Sequence, residues 1–153
     1  MPELISIERT LREEMENLST RIKSNMQTAN QVASGNLIKS MRVESTDFSA
    51  SLWALDYFEN QEKGISPEES RKKDTIFLRN DIFSWSQKKG LNFTNNSERA
   101  RFSWYAANKQ HELGSVLFRK GGRKDIYSNE IPKTIQLITE KVSNIIINTN
   151  IIK

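Results

Sequence analysis

The chain offers one histidine for acid–base chemistry, His111, set in a polar run between Lys109, Gln110 and Glu112. With no cysteine and no second histidine, no partner completes a metal shell or a nucleophile–base pair. A lone histidine in such a run is expected to be a solvated side chain. Asp56, Glu59 and Glu62 fall at steps of three, which on a helix gathers them on one face and suggests a hard-cation site. A solvated acidic face, partly neutralised by Lys63, is the simpler expectation. Gly121-Gly122 is flanked by Arg119, Lys120, Arg123 and Lys124, so charge and a flexible backbone coincide as in a phosphate-binding loop. The Gly-Lys-Ser/Thr ending of a Walker loop is missing. The four cations suit non-specific contact with a DNA backbone, or a loop that reaches a neighbouring subunit, and the second is favoured. No catalytic residue, metal site or cofactor is expected, and the chain reads as a non-enzyme.

Length and charge frame these groups. A chain of 153 residues suits one domain, 1–153. Its 36% hydrophobic and 27% charged residues make it polar for a monomeric globule without marking it as disordered, a balance that an oligomer sharing core and interface would explain. A net charge of +4 permits nucleic-acid contact without demanding it. The mixed-charge start MPELISIERT has no apolar run of signal-peptide length, and the longest apolar run, Ile145-Ile146-Ile147, falls far short of a membrane span. A soluble protein of a reducing cytosol, with no membrane partner, is expected.

The elements follow from periodicity. Leu4, Leu11, Met15, Leu18, Ile22 and Met26 form one stripe on a long N-terminal helix, to be ended or redirected by Gly35. Leu37, Ile38 and Met41 suggest a short helical turn. From Met41 to Leu55 the period changes to two, with a turn at Thr46-Asp47, which predicts a β-hairpin whose second strand is covered on both sides by Phe48, Ala50, Leu52 and by Trp53, Leu55. Ser66-Pro67-Glu68-Glu69 is a capping box with proline at the first helical position. Its helix breaks near Asp74 and stops at Gly90. Asn96-Ser97-Glu98 opens another helix that stops at Gly114. Val116 to Tyr127 is read as a second hairpin or an extended arm. A final helix carries Ile131, Ile135, Ile138, Val142 and Ile145 in a heptad-like seam that needs a facing helix, the first helix or an oligomer neighbour. Trp53, Trp85, Trp104 and the pairs Tyr57-Phe58 and Trp104-Tyr105 could stack on single-stranded bases, but their positions predict core packing. The fold class is α+β: a small antiparallel β-sheet packed with a long N-terminal helix, two or three central helices and a long C-terminal helix.

In this order of parts the chain resembles the neck and tail-completion proteins of tailed bacteriophages. The family has a long N-terminal helix, then Thr-Gly or Ser-Gly followed by Leu and Ser, here Ser34-Gly35, Leu37 and Ser40. A hairpin follows, then an aromatic residue, a glutamate and a glycine, here Tyr57, Glu62 and Gly64. A branch from phages of Bacteroides-like hosts continues with Trp, Lys-Gly, an alanine-containing helix and Gly-Ser, matched by Trp85, Lys89-Gly90, Ala106-Ala107 and Gly114-Ser115. The resemblance covers roughly Leu11 to Val142. It departs from the family at Gln31-Val32-Ala33, where many members carry proline and a charge, and at Gly121 to Tyr127, which replaces a proline-rich segment.

The resemblance implies a structural virion subunit, a homo-oligomeric ring between portal or adaptor and tail proteins around the DNA channel, made in the host cytoplasm. A ring requires one patch to meet a different patch on its neighbour. The two terminal helices and the 116–127 arm are the expected patches. The competing expectation is a small basic nucleic-acid-binding protein.

Overall fold

The computed structural model describes residues 2–151. It is α+β, a two-stranded antiparallel sheet among helices, with the long terminal helices the sequence predicts. The chain forms two compact units: residues 1–31, 36–58 and 124–153, and residues 32–35 and 59–123.

The first unit is built on α1 (Pro2–Thr28), α2 (Asn36–Ser40), strands β1 (Arg42–Thr46) and β2 (Ser49–Trp53), and the C-terminal helix, α8 below (Glu130–Ile151). The predicted stripe of α1 supplies the core: Leu18, Ile22 and Met26 are buried, joined by Leu37, Met41 and Ile126. Asn30, at φ 54°, ends the helix rather than Gly35. Its amide donates to Gln27 O and that of Gln31 to Met26 O, the paired bonds of a Schellman cap, which asparagine can make because it tolerates the left-handed region. The hairpin pairs Arg42 with Trp53 through to Thr46 with Ser49, and α1 packs across both strands. Val43, Ser45, Ala50 and Leu52 are half-buried. The expectation of a strand covered on both sides is corrected: Trp53 and Leu55 are exposed, with the Arg42 guanidinium 5.8 Å from the Trp53 ring centre, and Phe48 stands in the turn.

The second unit holds α3 (Asn60–Lys63), α4 (Pro67–Arg71), α5 (Thr75–Lys88), α6 (Asn96–Leu113) and α7 (Val116–Arg119). The capping box forms as the sequence predicts: the Glu69 amide donates to Ser66 Oγ and the Ser66 amide to Glu69 Oε2, both at 3.1 Å. Asp74 caps α5 after a three-residue break. Asn95, one residue before the expected start, caps α6, and Glu98 returns to the Thr94 amide at 2.7 Å. Ser86, Ser103 and Ala107 are fully buried between α5 and α6, where small side chains let the helices approach closely. Gly90, in the left-handed region, and Leu91 close α5 with bonds to Gln87 O and Ser86 O.

Candidate functional site

Some of the residues that carry the family resemblance meet as structural joints, whereas Tyr57 and Trp85 are exposed. In the first unit, Ser40 Oγ donates to Leu37 O at 2.7 Å and accepts from the Leu55 amide at 3.3 Å, so a buried leucine and a serine tie α2 to the end of β2. In the second unit, Glu62, Gly64 and Gly114 converge on α7. The Ser115 amide donates to Ile65 O at 2.8 Å, and Ser115 Oγ accepts from the Ile65 amide at 2.9 Å. A β-carbon at Gly64 would lie 2.4 Å from the Phe118 amide nitrogen, and one at Gly114 would lie 2.8 Å from Ile65 O. Glycine is required at both.

The expected arm at 116–127 does not form. Ser115 caps a one-turn helix, α7, by accepting from the Phe118 amide. Gly121 and Gly122, at φ 83° and 77°, close it by donating to Phe118 O and Leu117 O, and the Arg123 amide donates to Glu62 O at 2.8 Å. These amides are therefore engaged, and a phosphate cradle built from them is excluded. Of the four cations of this segment, Arg119 and Lys120 are exposed in the second unit, Arg123 is half-buried there, and Lys124 is exposed in the first unit.

The acidic face also departs from expectation. Asp56 and Glu59 are exposed in a 3₁₀ turn (Asp56–Glu59), and Glu59 pairs with Lys63 at 2.7 Å, but Glu62 is buried. Among the described residues no three acidic or histidine side chains gather as a metal site. Nor is any described helix long and apolar enough to cross a membrane. His111 is half-buried rather than solvated: Nδ1 shares a hydrogen bond with Ser70 Oγ at 3.0 Å, and its carbonyl accepts from Arg71 at 2.9 Å, which fastens α4 to α6. This is an anchoring role. No family model, curated protein or solved structure matches the chain.

Two surfaces remain uncommitted, one in each unit. The first lies along α8. This helix runs antiparallel to α1, but the seam is rotated from the one periodicity predicts, because Glu14 and Arg21 of α1 require polar partners. Arg21 donates to Glu130 Oε2 at 2.9 Å and to Thr134 Oγ1 at 2.7 Å, and Lys141 pairs with the buried Glu14. Thr134 therefore takes the buried position, while Ile131, Ile135 and Ile146 are 43%, 59% and 48% exposed. Ile131 and Ile135 border a cleft of about 350 Å³, floored by Met15, Leu18, Ile22 and Ile138 and flanked by Leu52 and the Phe58–Tyr127 ring pair.

The second surface is aromatic. Trp85, Trp104 and Tyr105 of the second unit are exposed, as is Tyr57, against the expectation that they pack in a core. Periodicity reports which residues share a face; it does not report whether another element covers that face. Phe93 and Phe102 pack together instead, at 5.2 Å between ring centres, with the Arg99 guanidinium 4.8 Å from the Phe93 ring.

Proposed function

We propose that the chain is a structural virion protein of a tailed phage: a ring-forming neck, or head–tail connector, or a tail-completion subunit that joins portal to tail around the DNA channel. The observation that carries this reading is the uncovered stripe Ile131, Ile135 and Ile146 on α8, continuous with the apolar cleft. A contiguous exposed apolar face of that kind marks a surface for a partner. The resemblance in motif order supports it, since Leu37, Ser40, Glu62, Gly64, Gly114 and Ser115 of the motif serve as joints of a scaffold. A ring needs a heterologous contact, so the α8 stripe of one subunit meets a different patch of the next. Arg119 and Lys120 then face either the channel DNA or a neighbouring subunit, and the site of action is the virion neck.

The test is light scattering coupled to gel filtration, on the protein alone and mixed with the portal and tail proteins of its virion. Ring-sized assembly in either setting supports the reading. A protein that stays monomeric and binds neither partner sinks it.

A further inference from the structure

The charge of the chain is divided unequally between the two units. The second unit holds thirteen of the 23 Lys and Arg but only eight of the 19 Asp and Glu, a net charge of +5, which leaves the first unit at −1. The whole positive excess therefore belongs to the unit that also carries the exposed tryptophan and tyrosine pair. On α6, Arg101, Trp104, Tyr105 and Asn108 are all exposed and lie three, one and three residues apart, which aligns them on one helical face. Trp104 is 40% and Tyr105 64% exposed. From α5, the Arg79 guanidinium sits 5.1 Å from the Trp104 ring centre and orients it. Arg101, Lys88, Arg119 and Lys120 are exposed, and among the described residues their side chains form no salt bridge or hydrogen bond.

We propose that the α6 face of the second unit, Arg101, Trp104, Tyr105 and Asn108 with Arg79 beside it, binds single-stranded nucleic acid without reading its sequence. Flat rings held in the open accept any base, since every base has a π-face, and the Arg101 and Arg79 guanidiniums beside them offer charge to the phosphates. A duplex keeps its base faces stacked inside, so the same rings gain little from it. Charge complementarity decides the class of partner: a unit at +5 recruits a polyanion, and the rings then select one whose bases are free. This binding needs no ring assembly and stands apart from the neck reading.

The experiment is fluorescence anisotropy with a labelled oligothymidylate of about 16 nucleotides and a duplex of equal length, over about 50 to 200 mM salt. The single strand is expected to bind more tightly. Trp104→Ala and Tyr105→Ala should each weaken it about tenfold with the salt slope unchanged, and Arg101→Ala should lower that slope by about 0.7. Trp104→Phe and Tyr105→Phe should keep the affinity. Trp104→Phe should also lose part of the tryptophan quenching seen on titration, a readout that remains if the alanine variants do not fold. No binding at low salt overturns the proposal. So does equal affinity for the duplex with no response to the ring substitutions, or displacement of the oligonucleotide by polyglutamate at matched charge, which would indicate an acidic protein partner.

Discussion

Ile65 and Ser115, fifty residues apart, hold each other through two hydrogen bonds, Ser115 N–H to Ile65 O at 2.8 Å and Ile65 N–H to Ser115 Oγ at 2.9 Å. Each follows a glycine that has left the ordinary backbone regions: Gly64 at φ 71°, ψ −165° and Gly114 at φ 81°, ψ 177°. That region is closed to residues with a β-carbon. The two glycines thus end α3 and α6 and also let their chains pass within contact distance.

The glycines should therefore differ in their response to alanine. Gly90 has a positive φ but open space around it, so Gly90→Ala should cost about 1 kcal/mol, the left-handed penalty alone. Gly64→Ala and Gly114→Ala add a collision with backbone atoms and should cost more than about 3 kcal/mol. Urea midpoints of the three variants check this. Equal losses would mean the joint relaxes freely.

Much of this joint was hidden in the sequence, and the reason is physical. Gly90 and Gly114 are legible as helix stops, as are the capping box at Ser66 and the hairpin around Asp47, because each depends on residues within a few positions. That Gly64 approaches Phe118, or that Gly122 lies against Glu62, depends on tertiary contacts that no local pattern encodes. The exposure of Trp104 and Tyr105 depends on tertiary packing in the same way, so periodicity does not show it. The charge imbalance was present in the composition, yet it becomes visible only once the division of the chain into units is known.

Acid should act on two named carboxylates. Glu69 is held below the usual value of 4.5 by the backbone hydrogen bond from Ser66, and Glu130 by the hydrogen bond from Lys133 and then that from Arg21. A depressed folded-state pKa contributes stability that is complete above about pH 4.5 and is lost as pH falls through the folded value. Glu130→Gln and Glu69→Gln should each flatten the fall in urea midpoint between about pH 5 and about pH 3. Ser66→Ala should cost about 1 kcal/mol at neutral pH through the lost cap. A fall in midpoint as steep as that of the unmodified chain in both glutamine variants would mean that other carboxylates govern acid unfolding.

The Glu14–Lys141 pair is asymmetric. Glu14 is 2% exposed, whereas the Lys141 side chain keeps about half its surface in water. Removing Lys141 strands a buried carboxylate, and removing the Glu14 charge leaves an ammonium that water can solvate. Lys141→Met should therefore destabilise the fold more than Glu14→Gln. The Lys141 pKa is raised above 10.5 by its hydrogen bond to Glu14, so the pair's contribution is full below that value and is lost as pH rises through the higher folded-state value. Denaturation at neutral and strongly alkaline pH measures both effects. The reverse order of the two variants would indicate that Glu14 is stabilised by groups other than Lys141.

The uncovered face of α8 separates folding from assembly. Ile135 is mostly exposed, so Ile135→Glu should change the stability of the monomer by no more than about 0.5 kcal/mol. In an assembly that covers this stripe, the same substitution buries a charge with no partner and should abolish association. Ile22→Glu, placed in the core under the same cleft, should instead prevent folding altogether. Thermal unfolding and light scattering on the variants distinguish these effects. If Ile135→Glu assembles with its partners as the unmodified chain does, α8 is not the contact surface, and the heterologous patch must lie on the hairpin side of the first unit or on the second unit.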